Sequence, residues 1–420
     1  MTERVYGDAS AVSRLPMGVA LRVFLPFALG YFMSYMFRTV NSVIAPELVA
    51  DVGLTAGNLG LLTSVFFLSF GLFQLPLGML LDRFGPRRVE AMLMLLAAVG
   101  AALFSLAPSL GLLALARALI GLGVSACMMA GFKAFVLWFD PHRLPLVNAC
   151  LLAVGATGAV AATEPVHLAL AFVDWRAVFR VLAGGTVLIS AALLWVAPEH
   201  EQPPAHIDFS SQLRGLGKIF RDPYFWRIAP LTMFSQAAFL SVQGLWSGPW
   251  LRDVGRLDRA GVAGYLMALS GAIIAGFLIT GTLSDRLIHR GVKPVTIAAW
   301  GMGLFLGVQC ILTLGGAHGV LAVWIAFGLF GTSGTLPYAV LSQHFDRHLA
   351  GRVNTALNVL VFVMAFFTQW GMGVIIHRWE NPITHFYDPT GYRVAFGLLV
   401  ACQLLGFWLY LKPGRPSRSG

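Results

Sequence analysis

Long apolar runs separated by short polar breaks dominate the chain. Crossing about 30 Å of hydrocarbon takes roughly 20 mostly apolar residues per helix. Twelve runs of that kind are predicted, at 23–46, 58–81, 89–107, 111–138, 146–171, 177–197, 228–251, 260–283, 295–315, 319–343, 352–376 and 392–411. The longest polar interval, Pro198 to Trp226, is too short to bury a core of its own. The pattern therefore predicts an all-α membrane protein of twelve spans. The polar interval at 198–226 is expected to be a linker between two six-span halves, 1–197 and 227–420. Within it, Pro198 to Pro204 carries three prolines that no helix crosses intact. Phe209 to Phe220 then places Leu213, Leu216 and Phe220 near one face, with Arg214, Lys218 and Arg221 around it. That segment reads either as an amphipathic helix on an anionic surface or as a solvated linker.

The two halves repeat one another. Gly78-Met79-Leu80-Leu81-Asp82-Arg83 returns as Gly281-Thr282-Leu283-Ser284-Asp285-Arg286, 203 residues later. Each copy ends an apolar run and opens a basic one, and the matching loops predict two pseudo-symmetric bundles that can rock about a central site.

Composition sharpens this picture. Hydrophobic residues make up 57% and charged residues 11%, with a mean hydropathy of +0.76, against about 25% charged in an average soluble domain. The net charge of +10 would suit nucleic acid, but its distribution argues against that partner. With the amino terminus inside, 19 of the 29 Lys and Arg fall on one side, seven on the other, and Arg38, Arg117 and Lys133 within spans. This is the positive-inside bias of a cell's inner membrane, with both termini cytoplasmic. No cleavable signal is expected, since the first run is long enough to span. Cys127, Cys150, Cys310 and Cys402 lie in or beside apolar segments without C-x-x-C spacing and read as buried structural thiols. The small-residue run Gly155-Ala156-Thr157-Gly158-Ala159 predicts close helix approach.

Gly78-Met79-Leu80-Leu81-Asp82-Arg83-Phe84-Gly85-Pro86-Arg87-Arg88 closely resembles the helix 2–3 loop signature of the major facilitator superfamily, G-x-L-x-D-R-x-G-x-R-R. The second copy sits at the helix 8–9 position, and Leu113 to Gly123, with Arg117 ahead of two glycines, resembles the helix 4 signature. The resemblance covers essentially the whole chain and implies alternating access powered by an ion or solute gradient. Helix 5 carries Gly155 to Ala161 where many drug antiporters of that family carry G-P-x-x-G-G. The sequence Tyr35 to Pro46 is more similar to the anion-transporting branches, with an arginine in helix 1 facing the cavity.

Charges inside spans point to chemistry because each costs about 2.5 to 3.5 kcal/mol at a helix centre. Tyr31, Tyr35, Arg38 and Ser42 share one face of span 1 and are expected to line the cavity, with Arg38 holding an anion or pairing with a neighbouring carbonyl. Arg117 and Glu164 are expected at comparable depth, either as a buried ion pair or with Glu164 coupling to protons. Lys133 is expected to snorkel to the surface. The second half supplies neutral groups: Gln236, Gln243 and Trp246 along span 7, Tyr338 in span 10, and Asn354, Asn358 and Gln369 on one stripe of span 11. One cation facing amides and aromatics suits a small organic monoanion, and export of amphiphilic or drug-like compounds is the alternative. Gly78 and Gly281 would allow close packing, while Asp82, Arg83, Arg87, Asp285 and Arg286 would gate the cytoplasmic side or anchor it at the headgroups. No nucleotide-binding loop, metal cluster or catalytic motif is present, which predicts no enzyme activity, cofactor or metal. The expected partners are a small solute, a co-transported proton or ion, and lipid, with the chain acting as a monomer.

Overall fold

In a computed structural model, the chain is described over residues 16–140, 143–199, 209–314, 320–345, 349–380 and 387–411. The basic residues near both termini and most of Pro198 to Pro204 lie outside that set. Eleven helices are long and apolar enough to cross a membrane. One of them, Ala56–Leu106, is 51 residues long and contains spans 2 and 3. Its kink falls at Gly85, whose φ of 76° and ψ of 158° only glycine adopts without strain. The twelve predicted spans are therefore present, with the first copy of the loop motif drawn into the helix.

The other breaks between spans follow local chemistry. Span 1 (Met17–Val52) ends on Gly53 in the left-handed region, φ 69°. Asp174, Asp222 and Asp258 cap spans 6, 7 and 8, accepting from the backbone N–H of Ala177 at 2.7 Å, Tyr224 at 2.7 Å and Gly261 at 2.9 Å. Span 5 breaks after Ala161, and Glu164 opens a six-residue helix, Glu164–Ala169. Span 7 carries a π turn at Val242–Trp246. Span 10 carries a 3₁₀ turn at Thr332–Thr335, ahead of Pro337.

Gly155 lies against the ring of Tyr31 and Gly158 against the carbonyl of Phe32, so span 5 approaches span 1 as closely as the small-residue run predicts. The thiols follow expectation only in part. Cys127 is buried, Cys310 and Cys402 are half-buried, and Cys150 is exposed, because it falls on a face of span 5 that no other span covers. Of the two readings of the interval, Phe209–Phe220 is a helix. Its Leu216, Ile219 and Phe220 pack with Phe225, Leu341 and Val353 of the second half. The apolar face thus docks on protein, which covers it more completely than a lipid surface would.

Spans 1–6 and spans 7–12 meet along a seam at the end of the bundle that carries Gly53, Trp175 and Asp253. Gly248 of span 7 faces the carbonyl of Ser42, where an added Cβ would come within 2.8 Å. Gly60 of span 2 meets the Gln369 carbonyl of span 11 in the same way, at 2.9 Å. Glu47 of span 1 and Arg259 of span 8 form an ion pair across the seam. At the opposite end, which bears both loop motifs, ion pairs form within each half. Among them are Asp82 with Lys133 and Arg87 and Arg88 with Glu199 in the first, and Asp285 with His289 and Asp222 with His344 in the second.

Candidate functional site

Arg38 lies where the seam ends, about midway along span 1. Its guanidinium stands over the rings of Tyr35 at 5.0 Å, Phe70 of span 2 at 5.4 Å and Phe362 of span 11 at 5.9 Å. Phe70 and Phe362 are themselves in contact, with centroids 4.6 Å apart, so the cage joins both halves. Arg38 is half-buried, and its Nε is shut from solvent without a hydrogen-bond partner. Among the described residues no carboxylate forms an ion pair with it. Three aromatic faces compensate part of the desolvation, but they leave the donors of the fork available. A planar guanidinium of this kind matches a carboxylate through two parallel hydrogen bonds.

Tyr31 and Tyr35 continue from Arg38 toward the loop-motif end, their rings perpendicular at 5.1 Å. The Tyr31 hydroxyl points to Met128 Sδ at 3.6 Å. In the second half, Tyr338 donates to Asn358 Oδ1 at 2.6 Å and Ser342 donates to Asn354 Oδ1 at 2.8 Å. These half-buried pairs occupy the same end of spans 10 and 11, one and two turns from Phe362.

The remaining predicted residues separate from this group. Gln236 donates to the Gly331 carbonyl at 3.2 Å, inside the second half. Gln243 reaches across to Thr39 Oγ1 at 3.4 Å. Trp246 is fully buried and donates to the Gln369 carbonyl at 3.0 Å, so both belong to the closed seam. The π turn at Val242–Trp246 inserts an extra residue per turn and breaks the stripe that the seven-residue spacing predicts.

Arg117 and Glu164 do not pair. Arg117 is 1% exposed, donates to the Phe37 carbonyl at 3.0 Å and stacks on Phe66 at 5.0 Å. The break ahead of Pro165 carries Glu164 away to the start of its own short helix, with Oε2 unpartnered. Lys133 reaches toward the exposed loop aspartate at the end of span 2. It binds Asp82 Oδ1 at 2.5 Å and the Leu81 carbonyl at 2.8 Å, which ties span 4 to the end of span 2. Arg87 is no simple headgroup anchor: it donates to the carbonyls of Leu193, at 3.1 Å, and Leu194 at the end of span 6, and pairs with Glu199 at 3.0 Å. Arg83, Asp285, Arg286, Gly78 and Gly281 are exposed.

Sequence reasoning missed Phe70 and Phe362, since phenylalanines in apolar spans carry no signal of their own. It also missed Glu90. Two arginines just before Glu90 make it look like a headgroup residue, yet the fold buries it completely.

Two six-span bundles closed against each other at one end, with a caged cation where the seam stops, have the layout of a secondary transporter. A profile of the Major Facilitator Superfamily matches residues 27–369, and the chain belongs to that family. It is a multi-pass membrane transporter and not an enzyme. The chain is 27% identical to the "Probable sulfoacetate transporter SauU" of Cupriavidus necator over 62% of its own length and 64% of that protein's. It is 25% identical to the "Probable L-galactonate transporter" of Escherichia coli K12, over 82% and 80% of the two chains. The "Hexuronate transporter" of the same organism is 23% identical over 68% of each. Among solved structures, a bacterial homologue of the human lysosomal transporter Spinster superposes with a TM-score of 0.72. It is 16% identical, and the match covers 92% of this chain and 95% of that one.

Proposed function

We propose that this transporter carries a small organic monoanion by alternating access, with Arg38 as the group that binds the anionic end of the solute. The observation that carries the reading is the Arg38 cage: a half-buried guanidinium held by three aromatic rings, with no carboxylate partner among the described residues. The names of relatives support it: L-galactonate and hexuronates are monoanions, and sulfoacetate, a dianion at neutral pH, supports the wider organic-anion class. Tyr31, Tyr35, Tyr338, Asn354 and Asn358 supply neutral donors and acceptors for the rest of the molecule. The two halves, 1–197 and 227–420, rock about this point. The Glu47–Arg259 pair holds one end shut, and Asp82 with Lys133 stiffens the other end of the first half. The charge asymmetry supports an inner-membrane setting with both termini cytoplasmic.

The test is uptake of labelled L-galactonate, a hexuronate and sulfoacetate into proteoliposomes. Arg38→Ala removes a charge-assisted hydrogen bond, so affinity for the transported anion should fall about tenfold to a hundredfold, from roughly 1.5 to 3 kcal/mol. Arg38→Lys keeps the charge and loses the fork, and should fall between the two. Equal affinity in folded Arg38→Ala and wild type would sink the reading and favour the amphiphile exporter.

A further inference from the structure

Glu90 belongs to the long helix just past the Gly85 kink, within span 3. It is 0% exposed, and both carboxyl oxygens are shut from solvent without a hydrogen-bond partner among the described residues. Three helices enclose it. Gly30 of span 1 lies so close that an added Cβ would collide with Glu90 Oε1. Cys127 of span 4 brings its thiol to the same point and is the titratable group facing the carboxyl there. From span 6 comes the Ser190 hydroxyl, which donates to the Ala91 carbonyl at 2.7 Å. The nearby cations are engaged elsewhere: Arg87 and Arg88 with Glu199, and Lys133 with Asp82. A carboxylate in such a place would have no ion-pair partner among the described residues and only the weak Cys127 thiol, itself against Met94 Sδ at 3.7 Å, as a donor. The group is therefore carried as the neutral acid in this conformation.

Its position connects two other features. On one side of Gly30 follow Tyr31, Tyr35 and Arg38 along span 1, with the Tyr31 hydroxyl at Met128, the neighbour of Cys127. One helical turn toward the loop-motif end lies a cavity of about 30 Å³ lined by Phe27, Ala134, Gly85 and Arg87, room for a water molecule. The cavity does not include Glu90 in its lining, so a proton would pass between them only when the helices of the first half rearrange.

We propose that Glu90 is a proton-binding site of the transporter, protonated in the described conformation and emptied when the helices of the first half rearrange. In that step the carboxyl O–H bond breaks, the electron pair stays on oxygen, and the proton passes to water in the cavity. Coupling to solute rests on the anion reading of Arg38: proton and monoanion then share one cycle, and their charges cancel. The carboxyl itself can be tested without any solute. Infrared difference spectra of purified wild-type protein should show the carbonyl stretch of a neutral carboxylic acid that is missing in Glu90→Gln. If the glutamine variant does not fold, Glu90→Asp should shift the same band. Identical spectra in a folded variant overturn the proton site and leave the Arg38 reading standing. In proteoliposomes given L-galactonate, a hexuronate or sulfoacetate, a pH gradient should drive accumulation by wild type and none by folded Glu90→Gln. Accumulation equal to wild type overturns the coupling. Normal affinity in Arg38→Ala alongside a Glu90 band overturns the anion reading alone.

Discussion

The two halves share a pattern of spans yet differ in what they bury. The first half buries Arg117 and Glu90, half-buries Arg38 within its spans and ties Lys133 to Asp82. Polar groups within the second half's spans are chiefly amides and hydroxyls. Gln309 and Gln403 exchange two hydrogen bonds of 3.0 Å, and Ser235 donates to the same Gln403 at 3.3 Å. Such a closed amide ring satisfies its own polarity and asks nothing of a ligand. The duplicated loops diverge in the same direction. Asp82 holds a lysine from another helix, whereas Asp285 meets only His289 four residues on, both largely exposed. The second half's buried charge, Asp253, sits at the end of span 7 and is satisfied there by Arg252 at 2.6 Å and the Tyr392 hydroxyl at 2.6 Å. Duplication preserved the scaffold, and among the described residues the charges at mid-span depth lie in the first copy.

The largest expected break in this comparison is at Arg38, as argued above. Next comes the loop aspartate. Asp82→Asn removes a half-exposed ion pair worth about 0.2 to 1 kcal/mol, so turnover should fall by up to about fivefold with solute affinity little changed. Asp285→Asn should transport at the wild-type rate. Equal loss in both would restore symmetry between the copies, and initial-rate uptake over a range of solute concentrations decides it. A smaller effect is expected from the amide side. Asn358→Ala loses a hydrogen bond of about 0.6 kcal/mol, roughly threefold in affinity. A hundredfold loss there would move the main recognition into the second half. The smallest effect concerns the cap of span 12. Asp388 Oδ1 accepts from the Thr390 N–H at 2.7 Å, and hydrogen bonds from the Thr390 side chain first and that N–H second lower its pKa below the ordinary carboxylate value. A lowered carboxyl contributes stability that is present above its unfolded value and lost as pH falls through the folded one. Thermal unfolding followed below about pH 4 should show a slight acid loss that Asp388→Asn, still a good cap, does not show. The same loss in that variant would assign the effect to another group.

Much of the architecture is legible in the chain because a bilayer imposes length and polarity on every span. The twelve runs, the duplicated loop and the tight approach of Gly155 and Gly158 all follow from that constraint. Arg38 could be singled out because a charge at that depth needs a reason. What could not be read is which helix faces which. Lys133 finds Asp82 through a contact between spans 2 and 4, and Glu90 disappears from solvent only because Gly30 lets span 1 close over it. The Arg117–Glu164 expectation treated span 5 as one straight rod. A break before Pro165 turns the glutamate away, and a backbone carbonyl and a phenyl ring receive the arginine instead.

The lopsided placement of charge has an electrical consequence. A unit charge moved through the whole membrane potential changes energy by about 2.3 kcal/mol per 100 mV. Arg38 and Arg117 both belong to the first half, so under the proposed alternating access voltage would act chiefly on that half. An anion seated on Arg38 cancels its charge. If the anion travels alone, the loaded protein should reorient with less dependence on voltage than the empty one; if a Glu90 proton travels with it, the two should respond alike, so voltage dependence separates the two cycles.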